Sequence, residues 1–593
     1  MLLNQLGENL SGFTECLYAK YFRLEMFELA IKMMLKERIK SVEHLPKILQ
    51  RDDPQVTDRT FFMDGSHQGL TAIPPEILAL EELEEVHLEN NQIEEIPQDI
   101  QHLKNIRILY LDRNNLRSLC PELGALSSLE GLDLSWNPIL PASLLVVSCL
   151  RTLRELRLHH TDLEEIPIVI CKSLHHLELF GLTGNHLKCL PKEIVNQTKL
   201  REIYLKQNQF DVFPQELCVL YNLEIIDLDE NKLNAIPDEI GNLTRLKKFY
   251  VAYNNLSLLP ESLRQCGMIS VLDLSHNILH SIPNCFAELT RITEMGLSGN
   301  PLEKLPRLIC RWPLLHLLYL SDTGLHRLRR CFRQLVSLTF LDLSCNHLDH
   351  CPSQICALHD LEILALDDNK IGQLPSELSS LSKLKILGLT GNEFCSFPEE
   401  VLSLESLEKL YIGQDQGCKI TYLPESIRKL QNLKELYIEN NHMEYLPVAL
   451  GSMPNLEVLD CRHNLLKQIP DAICQAQALR ELLLDDNLLT CLPENLDSLE
   501  NLKVLTLMGN PMIEPPEEVC AESIEVIWTF LKEKRTMKIM ATKIQAWWHG
   551  TMVRKGFGEF EELLKARKKA KSPAKDKKGD KAPKGKPGKG NKK

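Results

Sequence analysis

The stretch LEIIDLDENKLNAIP, Leu223 to Pro237, returns in altered form about twenty times along the chain. Leu223, Ile226, Leu228, Asn231, Leu233 and Ile236 set the grid, and 23 residues further on it recurs at Leu246, Phe249, Val251, Asn254, Leu256 and Leu259-Pro260. A fixed period of this length restricts the chain to a stack of similar coils that grows in one dimension. Within each coil the pattern apolar-x-apolar reads as a short strand, its apolar residues pointing inward and the residue between them outward. One coil cannot bury its own leucines. Stacking joins them into a continuous core and aligns the strands as a long parallel sheet. The asparagine falls where the chain turns away from the sheet, and its amide both donates and accepts hydrogen bonds. Its loss should leave buried backbone groups unsatisfied, at roughly 1–3 kcal/mol.

Counting back six residues from each Leu-Pro or Ile-Pro proline places this ladder position at Gln68, Asn91, Asn114, Asn137, Thr161, Asn185, Asn208, Asn231, Asn254, Asn277 and Asn300. It continues at Thr323, Asn346, Asn369, Asn392, an irregular coil at Asp415 to Cys418, then Asn441, Asn464, Asn487 and Asn510. That makes twenty coils, sixteen of them with asparagine. The grid resembles the leucine-rich repeat, so the expected fold is an α/β repeat solenoid: a horseshoe of about twenty coils with a parallel sheet on its concave face. At about 4.8 Å per strand the inner arc is on the order of 90 Å, enough to hold a folded protein. Thr161 and Thr323 keep a hydroxyl acceptor but lose the amide geometry. The coils ending at Thr161 and Asn185 run 24 residues, and GQDQGCKITYLP inserts three between Gly413 and Pro424. That insertion is either a tolerated surface bulge or a special contact.

The chain carries a formal charge of −13, but unevenly. Residues 565–593 hold fourteen Lys or Arg against two Asp, a net of +12, which leaves −25 on residues 1–564. Body and tail should seek different partners. Nineteen cysteines are scattered without metal-ligand spacing, and neither end of the array has a cysteine cluster, which predicts reduced thiols in an intracellular protein. The N-terminus lacks a signal-peptide pattern, and no apolar run reaches membrane-spanning length. The expected setting is cytoplasmic, with a cytoskeletal or ciliary one as alternative, and the sequons at Asn196 and Asn242 are chance matches.

The domain reading follows the pattern. Residues 1–58 are a helical N-terminal extension, the helix running from 13 to about 50 with apolar rows that include Leu17, Tyr21, Leu24, Phe27, Ile31 and Leu35; it either covers the open first coil or serves as a partner-binding or self-associating helix. Residues 59–516 are the repeat array, 517–540 a capping helix with Ile524, Ile527, Trp528 and Leu531 on one face, 541–560 a second motif, and 561–593 a disordered basic tail.

Two surfaces are candidate sites. Between the inward strand residues, Tyr110, Tyr204, Tyr250, Tyr319, Tyr411 and Tyr437 alternate with Asp133, Asp227, Asp273, Asp342 and Asp460, reinforced by Asp229, Glu230, Asp367, Asp368, Asp485 and Asp486. Tyrosine gives large contact area at low entropic cost, and the carboxylates favour a basic protein partner while repelling phosphates, so the array should not bind nucleic acid. The competing reading makes the aspartates a repeat feature that only keeps the face soluble.

The second surface is IQAWWHGTMVRKGF, residues 544–557. Ile544, Gln545, Gly550, Arg554 and Phe557 match five of six defining positions, and His549 stands in for a base, so the stretch resembles the IQ motif bound by calmodulin and related EF-hand proteins. The resemblance implies that Ile544 and Gln545 engage one lobe and that Arg554 pairs with acidic residues of the light chain. Exposed Trp547 and Trp548 call for a partner.

Array and motif together resemble the leucine-rich-repeat and IQ-domain-containing proteins, and the coils also resemble the Ras-binding scaffold class. That implies a noncatalytic scaffold in signalling, with calmodulin or a related EF-hand protein on the IQ helix and a small GTPase or cytoskeletal component on the concave face. A structural cytoskeletal or axonemal component with calmodulin as light chain is the alternative. No phosphate-binding loop, nucleophile elbow, zinc-protease or kinase motif is present, so no enzyme, cofactor or metal site is expected.

Overall fold

The computed structural model describes residues 61–414, 417–555 and 565. The expected N-terminal helix, Asp415, Phe557 and the basic tail beyond Lys565 lie outside them. Twenty three-residue strands, β1 (Phe62–Asp64) to β20 (Val504–Thr506), form one parallel sheet in which each strand pairs with the next in the chain. The pairing repeats the sequence period. Ile225 of β8 (Ile225–Asp227) faces Lys248, 23 residues on, whereas Gly131 faces Glu155 and Glu155 faces Leu179, steps of 24. Lys409 of β16 (Lys409–Tyr411) faces Glu435 of β17 (Glu435–Tyr437), a step of 26 that absorbs the three-residue insertion without breaking the sheet.

Each coil leaves the sheet through the asparagine. Asn231 Nδ2 donates to the carbonyls of Leu205 in the preceding coil (3.0 Å) and of Leu228 and Asp229 in its own (both 3.1 Å). Its Oδ1 accepts from Phe210 N at 3.1 Å. The turn just before it needs left-handed backbone, at Glu230 (φ 53°) and Tyr253 (φ 54°) for example, which is why Gly184, Gly299 and Gly391 also occur there. Thr161 differs from expectation: its single hydroxyl proton is shared between Leu158 O (3.0 Å) and Asn185 Oδ1 (3.2 Å), replacing part of the amide's donor role. The Leu-Pro or Ile-Pro proline then fixes an extended φ and opens a short 3₁₀ helix on the convex side, as Pro237 does for Asp238–Asn242.

The core runs unbroken from Ile73 to Leu531. Its C-terminal end is closed by a helix, Ile524–Lys555, whose Ile527 and Leu531 are buried on the last coil. Arg535 pairs with Asp497 at 2.5 Å and Lys538 with Glu494 at 2.5 Å. One expectation is corrected: the cysteines are not all separate thiols. Cys395 and Cys418, with Cα atoms 4.8 Å apart, are bonded, and Cys310 and Cys331 touch. Stacking sets residues of neighbouring coils side by side, so cysteines distant in sequence meet.

Candidate functional site

The predicted concave column exists as a row of neighbours, but the structure buries most of it. Strands about 4.8 Å apart press their inner-face side chains together. Tyr411 stacks on Tyr437 with ring centroids 4.5 Å apart and planes 8° from parallel, and Tyr319 leans on Phe340 at 4.8 Å. Tyr319, Phe340, Ile363, Ile386 and Tyr411 form one apolar ladder with Leu317 and Tyr437 at its margins. Ile225, Tyr250 and Val271 form another, flanked by Tyr204. The reading of an open tyrosine surface is therefore corrected: Tyr250, Tyr319 and Tyr411 are buried, while Tyr204 and Tyr437 stay half-buried.

The aspartates have backbone duties. Asp227, Asp273 and Asp342 each accept the N–H two residues on, from Asp229 (3.2 Å), Ser275 (3.1 Å) and Ser344 (2.9 Å). Asp460 does the same for Arg462 (3.0 Å), whose guanidinium also closes on its carboxylate. Asp229 accepts from Ala252 N of the next coil at 2.7 Å, and Asp367 likewise from Thr390 N at 2.8 Å. All but Asp342 are buried. Desolvation by its packed neighbours raises the half-buried Asp342 carboxyl above its ordinary range, and burial followed by the neighbouring Asp368 and Asp342 carries Asp367 to about 8. Tyr204 donates to Glu202 at 2.8 Å, and burial, then Glu202, holds its hydroxyl protonated. What remains accessible is discontinuous: Tyr204, Asp342 and Tyr437 are half-buried on strands six and four apart, Glu230, Asp368 and Asp485 are half-buried beside the sheet, and Asp486 is exposed.

The C-terminal helix presents the second surface. Beyond the docked turns, Ile544 is 64% exposed, Trp547 62% and Trp548 54%, with Met537, Ile539 and Met540 also exposed. Gln545, His549 and Arg554 are exposed and Gly550 is half-buried, all on one uninterrupted helix. Trp547 and Trp548 are adjacent, so they point to different sides and open a broad apolar flank rather than one stripe.

A third feature escaped the sequence reading. At the position before each strand, charges alternate across eight coils: Glu84, Arg107, Glu130, Arg154, Glu178, Arg201, Glu224, Lys247. Each base reaches a neighbouring carboxylate, as in Arg107–Glu130 (2.8 Å), Arg154–Glu178 (3.3 Å) and Arg201–Glu224 (3.7 Å). Four carboxylates against four bases leave this edge electrically matched. The signal lay in reading every twenty-third residue as a neighbour. Among the described residues no group of acidic, histidine or cysteine side chains is arranged to hold a metal, and no helix is long and apolar enough to cross a membrane.

Comparison with known proteins agrees with this geometry. A family model for the leucine rich repeat matches residues 66–116, 81–139, 198–256 and 221–279, and one for a leucine-rich repeat region matches 311–443 and 376–462. Among solved structures, a leucine-rich-repeat protein of Leptospira interrogans is 28% identical, covering 72% of this chain and 96% of that one, with a TM-score of 0.50. The plant peptide hormone receptor RGFR1 in complex with RGF2 is 25% identical, covering 74% and 81%, with a TM-score of 0.51. Leucine-rich repeat and IQ domain-containing protein 4 of Homo sapiens is 78% identical over 188 residues, 32% of this chain and 34% of that protein. The Mus musculus protein of the same name is 72% identical over 574 residues, 96% of each chain. The chain thus belongs to the family of leucine-rich repeat and IQ domain-containing protein 4.

Proposed function

We propose that this protein is a noncatalytic scaffold in signal transduction that holds calmodulin or a related EF-hand protein on its C-terminal helix and a second protein on its concave face. One observation carries the reading. A 32-residue helix is anchored by Ile527, Leu531 and Arg535, then runs past the array with Ile544, Trp547 and Trp548 exposed. Apolar side chains on a basic helix are what the hydrophobic groove of an EF-hand protein covers. Ile544 and Gln545 fill one lobe, Gly550 admits close approach, and Arg554, with His549, faces the partner's carboxylates; Phe557 completes the motif from outside the described residues. The relatives' name, which includes an IQ domain, supports the same assignment. The domain division at 59–516, 517–540 and 541–560 then gives array, anchor and motif in turn, with anchor and motif sharing the helix Ile524–Lys555.

Calorimetric titration of calmodulin into the full-length protein, with calcium and with chelator, tests this. Binding that an Ile544→Ala, Gln545→Ala variant loses is the expected result. Absence of binding in both conditions would reduce the helix to a cap and leave the concave face as the binding surface to pursue.

A further inference from the structure

The array is acidic, yet its convex side carries one concentrated basic region. Residues 304–333 contain seven Lys or Arg and a single acid, Asp322, a net of +6 within a body of −25. The region spans two neighbouring coils and their 3₁₀ helices, Arg307–Arg311 and Arg330–Gln334. Arg329 is tied down, its Nε donating to Leu305 O at 2.8 Å. The other six, Lys304, Arg307, Arg311, Arg327, Arg330 and Arg333, are exposed, and none has a carboxylate within ion-pair distance among the described residues.

The register makes this arrangement unfavourable for the array itself. Residues 23 apart lie side by side, a relation that pairs opposite charges at Lys383–Asp360 (2.6 Å) and Lys467–Glu444 (2.6 Å) and aligns like acids at Glu193, Glu216 and Glu239. Here it sets Lys304 beside Arg327 and Arg307 beside Arg330. Like charges in register on neighbouring elements cost stability.

The composition selects the partner. Five of the six exposed bases are arginine, whose planar fork takes carboxylates two bonds at a time. Exposed Leu314 (47%) and Val336 (55%) border the region, while its large aromatics, Trp312 and Phe332, are buried and offer no base a stacking platform. Exposed carboxylates bound it on both sides along the array, Glu261 and Glu288 before it and Asp349 and Glu377 after it, so a long polyanion laid along the convex face would meet repulsion. We propose that this convex patch docks a short acidic, partly apolar segment of another protein, its carboxylates held by Arg307, Arg327, Arg330 and Arg333 and its apolar residues lying over Leu314 and Val336. This surface is separate from the concave face and from the C-terminal helix.

The test is fluorescence anisotropy of a labelled glutamate-rich peptide containing leucines, titrated with the full-length protein and with an Arg307→Glu, Arg327→Glu, Arg330→Glu variant. A single-stranded DNA oligonucleotide and phosphatidylserine vesicles are measured in parallel. The expected result is peptide binding that weakens with salt and falls at least about tenfold in the variant. An Arg307→Gln, Arg330→Gln variant, which keeps the side-chain bulk, should also bind more weakly and serves if charge reversal disturbs folding. Undiminished peptide binding by folded variants would overturn the proposal, as would arginine-dependent binding of DNA or vesicles tighter than that of the peptide.

Discussion

Asn231 makes four hydrogen bonds through one amide, three donated and one accepted, and two of them cross to the preceding coil. Asn231→Ala leaves the Phe210 N–H without its acceptor and takes from the Leu205 carbonyl one of two donors, the other being Asn208 Nδ2 at 3.0 Å, so unfolding in urea should shift by roughly 1–3 kcal/mol. The loss should be local as well: hydrogen exchange at Phe210 should accelerate more than at distant coils, and an unchanged midpoint would show that the amide does not hold the turn. Asp367 offers a complementary case. Its Oδ1 accepts from Thr390 N, its Oδ2 is buried without a partner, and its carboxyl is raised from 3.8 to about 8. A raised folded-state value means that the native protein keeps a proton the unfolded chain has released. This site's contribution to stability therefore falls as pH climbs from about 4 to about 8 and is flat outside that window. Asp367→Asn is neutral throughout, so its thermal midpoint should gain on the parent's toward pH 8; parallel curves across the window would refute the assignment. Neither role was fully legible in sequence. The asparagine was read correctly because its period is visible. The aspartates looked like a solvent-facing column because alternation tells which side of a strand a residue takes, but not how tightly its neighbour 23 residues away covers it.

At the scale of elements, the C-terminal helix does two jobs with two segments of one continuous rod. Its first turns bury Ile527 and Leu531 against the last coil, and its later turns expose Ile544, Trp547 and Trp548. The change of pattern was readable, since the apolar face of Ile524 to Leu531 gives way to a basic, tryptophan-bearing stretch. What the sequence left out was the clasp, Arg535 on Asp497 and Lys538 on Glu494, because those partners lie about forty residues away. The roles should separate on mutation. Ile527→Asp places a charge in the buried seam and should lower the thermal midpoint by disturbing the last coil. If calmodulin binds as proposed, the same substitution should leave its titration largely intact, because the proposed binding segment lies beyond the seam. If Ile527→Asp abolished titration without lowering stability, the anchor would belong to the binding site instead.

At the scale of the whole molecule, a solenoid's stability is close to a sum over coils and the interfaces between them, so a weak interface limits how cooperatively the array unfolds. The interface between β16 and β17 is the candidate. Its register step is 26 where the neighbours step by 23. The following coil locates the ladder position: Ile420 N donates to Asn441 Oδ1, as the residue two after each ladder position does elsewhere, which puts Cys418 in the asparagine's place. A thiol cannot donate twice and accept in the plane as the amide does. Removing residues 415–417 brings Ile412, Gly413, Gln414 and Cys418 into the ordinary spacing, and Cys418→Asn restores the amide. The combined variant should melt at a higher temperature and in a sharper transition than the parent, both in reducing buffer so that the bond to Cys395 plays no part. An unchanged or lower midpoint would mean that the inserted residues make stabilising contacts of their own, and the insertion would then count as built structure rather than a tolerated interruption.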